Sequence, residues 1–108
     1  MIFEALLIGT MTVTAYQPVH KQTDSSPTWT SIGDRTTKFG CAVSQDLLKS
    51  GRVKYGDFVY IEGVGIKVVN DCMNIRHKNA VDVLVFTLAE EKKLPPKKRK
   101  VWVIKHGK

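Results

Sequence analysis

The sequence predicts a small, mainly β protein: one closed barrel of six short strands with one or two short helices. Three observations support this prediction. The chain has 108 residues, which is enough for one hydrophobic core. Hydrophobic residues make up 43% of it and charged residues 25%, and they alternate in short segments rather than at helical spacing. Six short strands in one domain must hide their edges, which closure into a barrel achieves. We therefore expect a single domain over residues 1–108.

The first half of the chain predicts two strands and one helix. In MTVTAY, residues 11–16, apolar and polar residues alternate as in a half-buried strand. Residues 17–38 are polar and rich in Ser, Thr, Asp, Pro and Gly, which predicts a long loop, and a loop of this length is usually functional or mobile. FGCAV then predicts a strand. SQDLLKSG predicts a short helix that Ser44 caps and Gly51 ends.

The second half predicts four more strands and a second helix. DFVYIEG and GIKVVN are strands joined by the turn-forming GVG, and VDVLVF is a strand rich in β-branched residues. TLAEEKKL follows as a short helix, because Thr87 and Glu90 have the spacing of a capping box and Pro95 stops the helix. KVWVIK is the last predicted strand.

The charge of the chain predicts an anionic partner without choosing one. There are 17 Lys and Arg against 10 Asp and Glu, a net charge of +7. Such a field attracts nucleic acid, an anionic cell-wall polymer or an acidic membrane surface. PKKRKV, residues 96–101, matches a nuclear import signal, but we interpret it as lysines that protect the approach to an edge strand. The aromatic residues do not interleave with the basic ones, so we expect no specific nucleic-acid partner.

The start of the chain predicts the beginning of the fold rather than a targeting segment. MIFEALLIGTM is mildly apolar, but it lacks a basic region and contains Glu4. No stretch approaches the roughly 20 apolar residues of a transmembrane helix, so we expect no transmembrane segment. The location and oligomeric state of the protein stay open at this point.

Cysteine and histidine residues allow two further interpretations, a metal site and a nucleophile pair, and no known spacing supports either. Cys41 and Cys72 fit a single disulfide, a ligand pair or small buried residues. Cys72 and His77 lie five residues apart, but no C-x-x-C or H-E-x-x-H spacing accompanies them, so we predict no metal. A Cys–His nucleophile pair, with His20, His77 or His106 as the base, also lacks sequence context.

NDCMNIRHKNAVD, residues 70–82, is the best candidate for a functional site. Asp71 ends one predicted strand and Asp82 begins the next, and a loop of ten residues between them can bring both carboxylates to one rim of a barrel. Two carboxylates that are close together and partly desolvated separate in proton affinity, which general acid catalysis at a glycosidic oxygen requires. Asn74 and Arg76 in the loop can hydrogen-bond sugar hydroxyls or a substrate carboxylate. The alternative is that both aspartates only cap turns.

Six segments in order carry a family resemblance: TVTAYQP, TSIG, GCAVSQDLL, YGDFVYIEGVG, VVNDCMN and AVDVLVFTLAEEKK. Together they resemble the 3D domain, a family named for three aspartates and related to the catalytic domain of MltA-type lytic transglycosylases. The resemblance covers roughly residues 11–106. It implies a six-stranded double-psi β-barrel, shared more distantly with the RlpA, barwin and expansin proteins.

The resemblance implies cleavage of peptidoglycan glycan strands without water, giving 1,6-anhydro products, with no cofactor and no metal. It implies that Asp82 is the acid/base and that Asp71 tunes it and holds substrate. Thr14, Tyr16, Ser44, Asn74 and Arg76 are the expected substrate-binding residues. Such an enzyme acts outside the cytoplasm, as a secreted protein or as a phage-type product released at lysis.

Two departures from the family pattern keep a second function open. Ser44 stands where the family has its third aspartate, and Asp71-Cys72-Met73-Asn74 replaces a glycine-rich segment. The alternative function is therefore a glycan-binding or inhibitory module on the same barrel that does not cleave.

Overall fold

The computed structural model describes residues 2–17 and 39–107, so residues 18–38 of the predicted loop lie outside the described part of the chain. The described strands are β1 (Ile2–Tyr16), β2 (Gly40–Val43), β3 (Phe58–Ile61), β4 (Gly65–Cys72), β5 (Ala80–Leu84) and β6 (Lys97–Gly107), and the helices are α1 (Gln45–Lys49) and α2 (Leu88–Lys92). No helix within these ranges has the length and apolar character needed to cross a bilayer.

The six strands form a closed barrel in the order β1-β5-β2-β4-β3-β6, with β6 returning to β1. β1 pairs with β5 and β2 pairs with β4 in parallel, whereas the other four pairings are antiparallel. Parallel neighbours cannot be joined by a tight turn, so each parallel pair brings together segments that are distant in sequence. The prediction of a small, mainly β barrel with two short helices is confirmed.

Alternation along the strands builds the core. In β1 the side chains of Met11 and Val13 are buried, and in β5 those of Val81 and Val83 are buried. Because successive side chains of a strand point to opposite faces, the residues between them lie on the outside of the barrel. The other strands, α1 and two connecting segments complete one core with Cys41, Val43, Leu47, Val53, Val59, Ile61, Val69, Val85, Val101 and Val103.

The first and last strands, β1 and β6, are longer than the sequence predicted. β1 begins at Ile2, and it pairs with β6 from Ile2 opposite Gly107 to Val13 opposite Lys97, with an irregularity between Leu7 and Gly9. The opening segment is therefore part of the barrel, as expected. The basic run was predicted to precede the last strand, and this is wrong: Lys97–Lys100 lies inside β6, because its backbone pairs with residues 10–13 of β1.

The two helices begin in different ways. Thr87 and Glu90 form the predicted capping box at the start of α2, with Glu90 N donating to Thr87 Oγ1 over 3.0 Å. Ser44 is at the N-cap position of α1, but its side chain makes no capping bond there. Its hydroxyl oxygen instead accepts a hydrogen bond from Ala80 N over 3.0 Å, which ties the start of α1 to the start of β5.

Glycine is required at position 40, at the start of β2, because there is no space for a side chain. The pairing of β2 with β4 shifts register between Cys41 and Ala42, which leaves Asn70 opposite no partner, as in a β-bulge. Asn70 is buried, and a Cβ atom on Gly40 would lie 2.6 Å from Asn70 Nδ2 and 2.7 Å from its Oδ1. The bulge therefore depends on a residue without a side chain on the neighbouring strand.

Gly40→Ala is expected to destabilise the barrel by about 1–3 kcal/mol, because overpacking forces the buried amide to move. Urea denaturation of the wild type, Gly40→Ala, Asn70→Ala and the double variant measures this change. The double variant is expected to lose less free energy of unfolding than the sum of the single variants. Additive losses would show that the two residues do not clash.

Candidate active site

Register places four residues of four neighbouring strands side by side. Thr14 of β1 is opposite Asp82 of β5, Asp82 is also opposite Ala42 of β2, and Ala42 is opposite Asp71 of β4. We call these four residues the aspartate row. Each strand spacing is about 4.8 Å, so the Cα atoms of the two aspartates lie about 10 Å apart across the small Ala42. The structure thus brings together the two carboxylates that the sequence singled out.

The aspartate row lies on the outside of the barrel. Asp82 stands between the core residues Val81 and Val83, and Ala42 stands between Cys41 and Val43. The loop between the two strands is shorter than predicted: β4 ends at Cys72 and β5 begins at Ala80, so the loop covers only residues 73–79 rather than ten residues. At its other end β5 stops at Leu84, two residues before the predicted end. Both aspartates consequently lie within strands, where backbone pairing fixes their positions.

Asp82 is the residue of the row whose environment is most unusual. Burial raises the pKa of its carboxyl from 3.8 to about 6, against the opposing effect of a hydrogen bond from Thr14. Thr14 Oγ1 donates this bond to Asp82 Oδ1 over 2.7 Å. The carboxyl group is therefore held in one position and changes its protonation state near neutral pH.

Charged groups from two other parts of the chain act on Asp82. His77, in the 73–79 loop, lowers the pKa of the Asp82 carboxyl, whereas Glu91 of α2 and Asp71 raise it. Glu91 Oε1 accepts a hydrogen bond from Gln17 Nε2 over 2.9 Å, which joins α2 to the end of β1. Sequence analysis did not select Glu91, because nothing in AEEK distinguishes it from its neighbour Glu90, which the capping box uses.

Tyr16 lies on the same side of the barrel as the aspartate row, two residues beyond Thr14 and opposite Leu84. Burial raises the pKa of its phenol above the ordinary value of 10.0, and the negative charges of Asp71 and Asp82 raise it further. The hydroxyl group therefore stays protonated, and it can donate a hydrogen bond to an oxygen of a ligand beside the carboxylates.

The other predicted site residues fall into two groups. Asn74 and Arg76 are exposed in the loop after β4, where Asn74 Oδ1 accepts a hydrogen bond from Arg76 N over 3.0 Å. Ser44 is fully buried, and its hydroxyl oxygen is engaged by Ala80 N. The structure therefore leaves Asn74 and Arg76 able to reach a ligand, whereas Ser44 supports the start of β5 beneath the row.

The cysteines do not form a disulfide with each other: Cys41 is free and buried, and Cys72 is free and partly buried. Burial raises the pKa of the Cys41 thiol from 9.0 to about 12, so Cys41 is a poor nucleophile near neutral pH. In the described ranges, no group of three or more His, Cys, Asp or Glu side chains is arranged to hold a metal ion. The Asp71 carboxylate accepts a hydrogen bond from Cys72 N over 2.8 Å.

Comparison with known proteins adds no family assignment. No protein-family model matches the chain, and no curated protein matches it. The chemical interpretation of the aspartate row therefore depends on its own geometry and charges.

Replacing the Asp82 carboxyl is expected to stabilise the protein at neutral pH. Its folded pKa of about 6 exceeds 3.8, so folding favours the protonated form and the free energy of unfolding falls as pH rises between about 4 and 6. Asp82→Asn removes this dependence and is expected to be more stable by up to about 3 kcal/mol at pH 7, with little difference at pH 4. Denaturant titrations at several pH values measure it.

Asp46→Asn is the matched control, because its expected effect has the opposite sign. Burial raises the pKa of Asp46, but hydrogen bonds from Ser44 and Asn79 and the charge of Arg52 lower it more, so the carboxylate stabilises the fold. The stability that it supplies is present above the ordinary pKa and is lost as pH falls. Asp46→Asn should therefore destabilise at pH 7. An Asp82→Asn variant that destabilises in the same way would contradict the assignment of a desolvated carboxyl.

Proposed function

We propose that the protein is a peptidoglycan lytic transglycosylase in which Asp82 is the single acid/base residue. The observation that supports this most strongly is the half-buried Asp82 carboxyl, with its pKa raised to about 6 and its Oδ1 held by Thr14. General catalysis is most effective when the pKa of the group lies near the working pH. A carboxyl group of this kind can both give and take a proton within one reaction.

The reaction needs one such group. Protonated Asp82 gives its proton to the oxygen between N-acetylmuramic acid and N-acetylglucosamine as the bond from the muramic C1 to that oxygen breaks. The carboxylate then takes the proton of the muramic C6 hydroxyl, whose oxygen bonds to C1 and closes the 1,6-anhydro ring. Asp82 ends in its initial protonated state, and no water is consumed.

The neighbours of Asp82 have supporting roles in this proposal. The negative charges of Asp71 and Glu91 raise the pKa of Asp82, and in the transition state they favour the positive charge that develops on the sugar ring. The protonated phenol of Tyr16 and the loop residues Asn74 and Arg76 offer hydrogen bonds to sugar hydroxyls and carboxylates. The net charge of +7 draws the protein to an anionic cell wall.

The topology is compatible with the double-psi barrel that the resemblance to the 3D domain implied. Parallel pairing of β1 with β5 and of β2 with β4 interlocks two distant halves of the chain in one closed barrel. The relation to the 3D family remains part of this proposal, and it supports the proposed chemistry less directly than the environment of Asp82 does.

Purified protein incubated with peptidoglycan sacculi is expected to release 1,6-anhydromuropeptides, detected by mass spectrometry. Asp82→Asn should reduce the rate at least about 1,000-fold, because the amide cannot exchange the proton. Asp46→Asn should retain activity under conditions in which the variant is folded. The proposed activity would be refuted if the wild-type protein released no such product between pH 4 and 8, or if Asp82→Asn were equally active.

The rate is expected to fall as pH rises above about 6, since the initial step uses the protonated form of Asp82. Thr14→Val removes the hydrogen bond that favours the carboxylate, so the pKa of Asp82 should rise and this limb of the pH–rate profile should move to higher pH. Thr12→Val is the control, because Thr12 is on the same strand but is paired with Ala80. An unmoved limb in Thr14→Val would show that Asp82 does not control the profile.

A glycan-binding or inhibitory module on the same barrel is the second candidate. The observation that favours it is Ser44: it stands where the resemblance expects an aspartate, and its hydroxyl oxygen accepts from Ala80 N. Saturable pull-down by insoluble peptidoglycan without any soluble product would favour this module over the transglycosylase.

A further inference from the structure

Six apolar side chains form a continuous patch on the outside of the barrel. Leu7 of β1 is opposite Trp102 of β6, Trp102 is opposite Tyr60 of β3, and Tyr60 is opposite Ile66 of β4. Two residues along, Ile104 of β6 is opposite Phe58 of β3 on the same face. We call these six residues the apolar patch.

Four of the six side chains of the apolar patch are exposed, whereas Trp102 and Ile104 are partly buried. The exposed fraction is 57% for Leu7, 54% for Phe58, 42% for Tyr60 and 54% for Ile66. The alternate residues of β3 and β6, which include Val59 and Val103, fill the core instead, so the patch is not a consequence of poor folding. Contiguous apolar surfaces rimmed by polar residues usually mark a contact with another molecule or a membrane.

Two lysines extend the apolar patch along β6. Lys98 and Lys100 precede Trp102 at intervals of two residues and thus point to the same face, opposite Thr12 and Thr10 of β1. Both lysines are exposed. The face therefore combines aromatic, aliphatic and cationic side chains in the arrangement of an interfacial membrane-binding surface.

We propose that the apolar patch, with Lys98 and Lys100, adsorbs to a lipid bilayer that contains acidic headgroups. Leu7, Phe58 and Ile66 enter the boundary between headgroups and acyl chains, and the amphipathic rings of Tyr60 and Trp102 lie at headgroup level. The lysine side chains reach the lipid phosphates. No residue of this surface belongs to the aspartate row, although Lys98 is opposite Thr12, two residues before Thr14 on the same strand. The proposal does not depend on the proposed glycan chemistry.

Two observations favour a bilayer over other occupants. The rings of Tyr60 and Trp102 have centroids 5.6 Å apart and are tilted by 51°, so they offer no common plane on which a sugar chain could stack. A second copy of the chain would bring another charge of +7 against the first, whereas acidic lipid is complementary to it.

Sedimentation with vesicles tests the proposal on the full chain. Binding is expected to vesicles of phosphatidylcholine with phosphatidylglycerol, to weaken on raising the salt concentration, and to be much weaker on pure phosphatidylcholine. Ile66→Thr should lower the partition coefficient about fivefold or more, because the apolar side chain no longer enters the bilayer. Ile75→Thr is its matched control, since Ile75 is 53% exposed in the 73–79 loop away from the patch, and it should change binding little.

Charge placement is tested with two double variants of equal net charge. Lys98→Gln with Lys100→Gln should lower binding about 25-fold, because each lysine near an anionic surface contributes about fivefold. Lys49→Gln with Lys92→Gln, on the exposed helix positions, should lower it much less. Circular dichroism checks that each variant is folded.

Three outcomes would overturn the proposal. The first is no binding to acidic vesicles at low salt. The second is an equal loss of vesicle binding in Ile66→Thr and Ile75→Thr, or in the two lysine double variants. Binding would then depend on overall charge and hydrophobicity and not on the apolar patch. The third is a concentration-dependent dimer in light scattering that Ile66→Thr abolishes without any vesicle binding, which would assign the patch to a second copy.

Discussion

The pairing of β5 between β1 and β2 is the constraint on which the candidate site depends. Asp82 has a core valine on either side of it, so a slip of one residue would bury the carboxylate in the core and expose both valines. The hydrophobic alternation therefore fixes the register, and the register places Asp82 beside Thr14. The position of the Asp82 carboxyl group therefore follows from the packing of its apolar neighbours in the core.

The same arrangement makes Asp82 reactive at a cost in the stability of the fold. Partial burial makes the ionised form of Asp82 unfavourable, and the nearby carboxylates of Asp71 and Glu91 add to that effect. The hydrogen bond from Thr14 offsets only part of it. The remaining free-energy cost of ionising Asp82 is tolerated because the rest of the barrel is stable. Its closure buries one continuous core and pairs the backbone groups of the strand edges. A desolvated carboxyl group on rigid strands is more typical of a working site than of a structural one.

The sequence predicted the parts of this structure that depend on local signals. Alternation located the strands, and the spacing of Thr87 and Glu90 located the start of α2, because both signals arise between residues close in sequence. The full length of β1 was not predictable, because residues 3–7 are exposed and pair with residues 102–106 of β6, which are distant in sequence. The start of β6 was not predictable either, because Lys97–Lys100 is a run of charged residues without the apolar alternation of a strand. The contact of Thr14 with Asp82 joins residues 68 positions apart through a parallel pairing, which no local pattern encodes. Glu91 was missed for a different reason, because nothing in AEEK marks it as a residue that acts on Asp82.

The order of the strands relates the two surfaces. The aspartate row crosses β1, β5, β2 and β4, and the apolar patch crosses β4, β3, β6 and β1. In a closed ring of six strands, the middle of the first set, between β5 and β2, is diametrically opposite the middle of the second, between β3 and β6. A molecule adsorbed through the apolar patch would therefore turn the aspartate row away from the bilayer. A glycan strand that lies outside a membrane would meet the row on that side, so the two proposals are geometrically compatible although neither requires the other.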